Sequence, residues 1–319
     1  MQCAVGDVPA VGKINNRKID QYISSRLSAM SKPYRQHGPG TLYSQRLMRA
    51  LDYLWRHLDQ PVSLERLAEE ACFSPYHFHR LFHALMGETL SQSRQRMLLH
   101  RAADELAAGR RALPGIAARA GYGSSAAFVR AFGKHYGETP GRYRQRRLLI
   151  SATSQERVMP NVSIILLPAI AVVQRRHYGP YMGIGQAFDA LHALMGPMPG
   201  EGEPLQVFGQ YLDDPDEVAA ADLRSIASVS LPTGFSLGDA ALAAQGFARG
   251  EIPASRYACL EHVGPYAELK TAWDQLYRHW LPQSGEEPAD LPCLEQYLNA
   301  PYNTPPAQLR SRLLLALRN

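Results

Sequence analysis

Phe78-His79-Arg80-Leu81-Phe82 returns fifty residues later as Phe128-Val129-Arg130-Ala131-Phe132, and Gly87-Glu88-Thr89 returns as Gly137-Glu138-Thr139 at the same offset. Two matches in one register mean that a whole supersecondary unit is duplicated, which restricts the fold more than any compositional property could.

Each copy reads as helix, tight turn, helix. In the first, Ser63 can cap a helix whose apolar positions Leu64, Leu67, Ala68 and Ala71 follow helical spacing. Ser74-Pro75 then supplies a cap and a first-turn proline for a helix that buries Phe78, Leu81, Phe82 and Leu85 and stops at Gly87. The second copy opens at Pro114 with Ile116, Ala117 and Ala120, turns at Gly121-Tyr122-Gly123, and continues from the Ser124 cap through Phe128, Ala131, Phe132 and Tyr136. Residues 91–108 are expected to form the helix that joins the copies. At 100° per residue, the face opposite Phe78 presents Tyr76, His79, Arg80 and His83. The corresponding face of the second copy presents Ala126, Val129, Arg130 and Gly133, flanked by Ser125, so Arg130 is its one strong donor. His79 and His83 have metal-ligand spacing, but with no cysteine or acidic partner near them no metal site is expected.

Charge separates this region from the rest. Residues 44–148 hold 17 Lys+Arg against 9 Asp+Glu, a net +8, whereas residues 160–319 hold 10 against 17, a net −7. A basic, arginine-rich half joined to an acidic half reads as a polyanion binder fused to a different module. An uneven but inert surface explains charge alone equally well; the duplication is what favours the binder.

The stretches SLERLAEEACFSPYHFHRLFHALMGETL and IAARAGYGSSAAFVRAFGKHYGETPGRYR resemble the AraC/XylS family of transcription regulators over Leu47 to Gln145. The resemblance implies a DNA-binding domain with recognition helices at 75–86 and 125–136, entering successive major-groove segments on one face of the duplex. It carries contact roles onto Tyr76, His79 and Arg80, and onto Ser125, Ala126, Val129 and Arg130. The small side chains at Ala126 and Val129 depart from the polar residues the family often has there, so most base readout is assigned to the first unit.

From Val162 onward the runs become strand-like: Val162 to Val173, Val207 to Leu212, Ile226 to Leu231, Tyr257 to His262 and Leu313 to Leu317. Here too there is a duplication. His177-Tyr178-Gly179-Pro180-Tyr181 is matched by His262-Val263-Gly264-Pro265-Tyr266, and Phe188-Asp189 by Trp273-Asp274, at an offset of 85. Helices are expected at 181–195 and 266–280, giving a pseudo-symmetric α+β domain with an antiparallel sheet and two helices. With the segments Gly209 to Pro215 and Leu294 to Asn299, residues 160–319 resemble the gyrase-inhibitor-like effector-binding domains. That resemblance implies a cleft between the two halves in which Glu295 recognises cationic or polar aromatic compounds. Strand alternation places Glu295 and Tyr297 opposite Leu294, Gln296 and Leu298. An aromatic cation would compensate a desolvated carboxylate, and Tyr181, Tyr266, Trp273 and Tyr297 are the candidate walls of an otherwise uncharged cleft. Trp273 also has Leu269 and Leu276 at core spacing, which suits ordinary packing.

The expected organisation is therefore multidomain: an extension over 1–43, an all-α double helix-turn-helix domain over 44–148, a linker over 149–159 and the α+β domain over 160–319. Its expected partners are double-stranded promoter DNA, a small-molecule effector and RNA polymerase, with no cofactor and no membrane. The longest apolar stretches fall short of the roughly 20 residues needed to cross a bilayer. The N-terminus lacks the apolar core of an export signal, which points to the cytoplasm. Cys3, Cys72, Cys259 and Cys293 form no C-x-x-C pair, as suits a reducing compartment. No nucleophile elbow, H-E-x-x-H, Walker loop or full dinucleotide fingerprint occurs. A small-molecule hydrolase fused to the DNA-binding unit, and a constitutive DNA binder without an effector, remain the alternatives.

Overall fold

A computed structural model of the chain describes residues 42–153, 160–196 and 204–318. The expected extension over 1–43 lies almost wholly outside them, as does residue Cys3. Among the described residues seven helices come first: α1 (Leu42–Arg56), α2 (Leu64–Glu70), α3 (Pro75–Met86), α4 (Leu90–Ala107), α5 (Leu113–Arg119), α6 (Ser125–Tyr136) and α7 (Pro140–Thr153). Local chemistry sets their limits. Ser63, Ser74 and Ser124 accept hydrogen bonds from the backbone N–H groups of Arg66, His77 and Ala127, and Thr89 forms a reciprocal capping box with Gln92.

Phe78, Phe82, Phe128 and Phe132 are fully buried, so each repeat contributes a pair of aromatic side chains to a core. Burying a phenylalanine is worth about 1.5–3 kcal/mol, so these four contribute substantially to holding α3 and α6 against the core. Helix α4 serves both units. Its Leu99, Ala102, Ala103 and Leu106 pack with Ile116, Phe128, Phe132 and Tyr143 of the second unit.

The two units are not superposable throughout. The recognition helices are related by fifty residues, but α2 and α5 are related by forty-nine, because the second turn holds one residue more. The left-handed position of the turn is Cys72 (φ 53°) in the first unit and Gly121 (φ 80°) in the second. A side chain in this region costs about 1–2 kcal/mol. Cys72 occupies it with its carbonyl accepting from Arg46 and its sulfur 3.6 Å from Arg49.

The second half is one antiparallel sheet of eight strands: β1 (Val162–Leu167), β2 (Ile170–Tyr178), β3 (Val207–Tyr211), β4 (Arg224–Ser230), β5 (Ala248–Ile252), β6 (Ser255–Val263), β7 (Cys293–Tyr297) and β8 (Arg310–Leu317). The spatial order is β1-β6-β8-β7-β3-β4-β2-β5. Read from its centre between β7 and β3, this order is palindromic. β2, β3 and β4 of one repeat correspond to β6, β7 and β8 of the other; β1, which precedes the first repeat, pairs with β6 of the second, and β5, which precedes the second, pairs with β2 of the first. Helix α8 (Gly185–Met195) belongs to the first repeat, α10 (Leu269–Gln275) to the second, and short α9 (Asp239–Ala243) and α11 (Leu281–Ser284) complete the set.

Several expected elements are corrected. The run from Val162 to Val173 is two strands, because Pro168 cannot donate to a ladder and breaks it. The helix expected at 181–195 begins as a 3-10 turn, Tyr181–Ile184, and the one at 266–280 is a 3-10 turn, an α segment and a π turn, Leu276–Trp280. β5 and α9 were not anticipated. Helix α7 continues to Thr153, into the segment read as linker. Among the described residues, no helix is long and apolar enough to cross a membrane.

Candidate functional site

On the first recognition helix Tyr76, His79 and His83 are exposed and Arg80 is half-buried, while Phe78 and Phe82 point inward. Tyr76 is 65% exposed, more than is usual for a tyrosine. Arg80 donates to its hydroxyl at 2.6 Å and lies 5.5 Å from its ring centroid. On the second helix Ala126 and Arg130 are exposed, and Ser125 and Val129 are half-buried. The two faces therefore differ as their sequences do: one bears an Arg–Tyr pair with two histidines, the other a single arginine among small side chains.

The candidate cleft lies at the pseudo-dyad of the sheet. Gly209-Gln210-Tyr211-Leu212-Asp213, at the end of β3 and just beyond it, and Glu295-Gln296-Tyr297-Leu298-Asn299, at the end of β7 and just beyond it, are equivalent at an offset of 86, and Gly209 pairs with Glu295 across the axis. The equivalence extends to the contacts. Tyr181 donates to the carbonyl of Asp213 at 2.6 Å, and its counterpart Tyr266 to that of Asn299 at 3.5 Å. The N–H of Arg224 donates to the side chain of Asp213, and that of Arg310 to the side chain of Asn299.

What breaks the symmetry is the pair at the axis itself. Glu295 is only 5% exposed, accepting from the Trp273 indole at 2.9 Å and from the Tyr297 hydroxyl at 2.7 Å. The hydroxyls of Tyr297 and Tyr211 meet at 2.6 Å. They can do so because Gly209 has no side chain: a Cβ there would lie 3.1 Å from both hydroxyl oxygens. Burial raises the Glu295 carboxyl above its ordinary pKa, opposed by the hydrogen bonds from Tyr297, Trp273 and Tyr211. Burial and the neighbouring carboxylate likewise push Tyr297, Tyr211 and Tyr266 up, so all three remain neutral donors.

Of the five residues expected in the cleft, Glu295, Tyr297, Trp273 and Tyr266 come together, the Tyr266 ring lying 5.1 Å from that of Tyr297. Tyr181 stands one layer out, edge-on to Tyr211 at 4.8 Å. Trp273 packs on Leu269 and Leu276, as core spacing suggests, while its indole N–H donates to Glu295. Tyr211 and Phe188 were missed; the Phe188 ring is 5.3 Å from Tyr297. The GQYLD/EQYLN equivalence would have found Tyr211, and the pairing of Phe188 with Trp273 would have found Phe188. The expectation of an otherwise uncharged cleft is corrected. The space around Glu295 is part of a cavity of about 1790 Å3 that Arg96, Asp189, Arg147 and Lys270 also line.

Two equivalent arginines fasten the halves together. Arg96 and Arg146 stand fifty residues apart, as do Glu88 and Glu138, which they bind at 2.6 and 2.7 Å. Each arginine then faces an acid of a different sheet repeat: Arg96 lies 3.9 Å from Asp189, and Arg146 2.6 Å from Glu268. Trp55 donates to Asp189 at 2.9 Å, His192 to the Leu85 carbonyl at 2.8 Å, and Arg147 to the Ala267 carbonyl at 2.8 Å.

A family model described as a GyrI-like small molecule binding domain matches residues 160–318, and one described as a helix-turn-helix domain matches residues 67–146. The regulatory protein SoxS of Salmonella typhimurium is 32% identical over 105 residues, 33% of this chain and 97% of that protein. The right origin-binding protein of Escherichia coli K12 is 34% identical over 95 residues, 30% of this chain and 33% of that protein. The bifunctional transcriptional activator/DNA repair enzyme AdaA of Bacillus subtilis is 34% identical over 94 residues, 30% of this chain and 44% of that protein. The chain thus spans less than half the length of the last two relatives. With a duplicated helix-turn-helix that aligns over nearly all of SoxS and a sheet domain of its own, the chain belongs to the AraC-type DNA-binding transcription regulators, and its C-terminal half is a GyrI-like domain.

Proposed function

We propose that the C-terminal half binds a planar aromatic cation at Glu295, and that occupancy of the cleft changes how α3 and α6 hold promoter DNA. The observation that carries this reading is the buried carboxylate at the pseudo-dyad, ringed by half-buried Tyr211, Phe188, Tyr266, Trp273 and Tyr297. Desolvation alone would favour a neutral acid, so a cation that stacks on these rings gains both charge compensation and apolar contact. Both carboxylate oxygens are already engaged by Trp273 and Tyr297, which suits recognition better than activation of a water and favours a binding role over hydrolysis. On the DNA side, exposed Tyr76, His79 and Arg130 with half-buried Arg80 supply groups that reach base edges and phosphates, with Ser125, Ala126 and Val129 as close-contact positions.

Glu295→Gln tests the sensor. It keeps shape and hydrogen-bonding ends but removes the charge, so the affinity of the full chain for rhodamine 6G, an aromatic cation, is expected to fall by about 1.5–3 kcal/mol. Neutral aromatic isosteres are expected to bind both proteins alike by calorimetry. Equal affinity of the two proteins for the cation would assign Glu295 a structural role only.

A further inference from the structure

The cavity around Glu295 does not end within the sheet domain. Its lining extends to α4, the helix that joins the two helix-turn-helix units, through Arg96 and His100, and to Trp55 of α1. At about 1790 Å3 the space exceeds the roughly 300–1,000 Å3 of an ordinary small-molecule pocket, as expected if it serves two domains rather than one.

Two runs of contacts lead from the DNA-binding half to the carboxylate. The His100 ring stands edge-on to Tyr266 at 6.0 Å, Tyr266 is 5.1 Å from Tyr297, and Tyr297 donates to Glu295. On the other side Trp55 donates to Asp189, whose chain neighbour Phe188 lies against Tyr297. Asp104 and Arg147 line the cavity, and their buried Oδ2 and Nε atoms have no hydrogen-bond partner in the protein. Unpaired buried polar atoms call for an explanation, an ordered water or ion among them.

We propose that the ligand site is composite, with α4 of the DNA-binding half as its far wall, and that it takes an elongated aromatic cation whose second, hydrogen-bonding end reaches His100 and its neighbours. This rests on the sensor reading of Glu295 and extends it. A ligand seated in this way touches the helix that sets the spacing of the two recognition helices, so no relay through the sheet is required.

The test uses the full chain and two probes: rhodamine 6G, long enough to span the cavity and carrying an ester, and N-methylquinolinium, a small cation that fits beside Glu295 alone. His100→Trp, which fills the far wall, is expected to weaken rhodamine 6G about tenfold or more, and His100→Ala about threefold, while N-methylquinolinium binds both as it binds the unaltered protein. Circular dichroism identifies a variant that fails to fold, and the alanine variant then carries the comparison. If Glu295→Gln weakens both probes but neither His100 variant affects rhodamine 6G, the composite site is overturned and the sensor reading stands. If the unaltered chain binds neither probe, or Glu295→Gln changes neither, the sensor reading fails and the composite site falls with it.

Discussion

Glu295 and His100 sit in the walls of one cavity and are perturbed by the same cause with opposite consequences for folding. Burial raises the carboxyl of Glu295, so protonation at low pH relieves a cost of the folded state. For His100, burial first, then Arg96 and His135, lower the imidazole pKa from 6.5 to about 4. Below about pH 6.5 the unfolded chain takes up a proton that the folded chain refuses, so stability is lost as pH falls from there toward 4. Between pH 7 and 5 this amounts to about 1–2 kcal/mol. Asp189 and Glu295, whose burial works in the other direction, make the total profile a poor gauge, and the informative quantity is a difference. His100→Phe should lose less stability than the unaltered chain between pH 7 and 5 in urea titrations; parallel losses would mean that His100 is hydrated in the folded protein.

The recognition helices illustrate how an element can be read correctly while its contacts are not. Ser74-Pro75 and Ser124 mark the starts of α3 and α6, and the observed caps agree, because capping depends on residues within one turn. The Arg80–Tyr76 hydrogen bond was not anticipated, although the i, i+4 spacing allows it. The bond is made through Nη1, so a base contact by the guanidinium, with its five N–H donors, does not require breaking it. Arg80→Ala should still cost about 1–3 kcal/mol and relax preference at one or two base pairs, whereas Val129→Ala costs less. Binding of both variants to a randomised DNA library decides this, and equal losses would reverse the ranking of the two units. Elsewhere legibility followed range. The strand runs were visible in the sequence because period-two patterning is local, but the crossing of β1 to β6 and of β5 to β2 depends on which edges meet across the whole sheet. The π turn after Gln275 has no local signature, and β5, with Arg249, Gly250 and Glu251 in its short span, does not look like a strand.

Both halves of the chain are duplications, and the two duplications meet. Each sheet repeat presents one acid, Asp189 or Glu268, to one of the equivalent arginines Arg96 and Arg146, so each helix-turn-helix unit has a contact with its own sheet repeat. The fifty-residue offset of these arginines and of Glu88 and Glu138 was present in the sequence, but nothing local to them distinguishes a fastening from a surface ion pair. The cleft shows the same limit. Glu295 is assigned to the cleft by the resemblance to gyrase-inhibitor-like domains, with strand alternation and repeat matching supplying most of its aromatic neighbours, whereas the α4 wall is not, because no pattern within residues 160–319 refers to residue 100. A ligand that bears on Glu295, on the Phe188–Asp189 step and on α4 at once is placed to shift the two units relative to each other, and a differential affinity for two arrangements is what any such control requires. The decisive measurement is the affinity of the full chain for a DNA site selected from a random library, by fluorescence anisotropy, with and without saturating rhodamine 6G, in the unaltered protein and in Glu295→Gln. A change of about fivefold or more in the unaltered protein, absent in Glu295→Gln at the same dye concentration, is the expected result. Unchanged DNA affinity in a protein shown to hold the dye at Glu295 would contradict it.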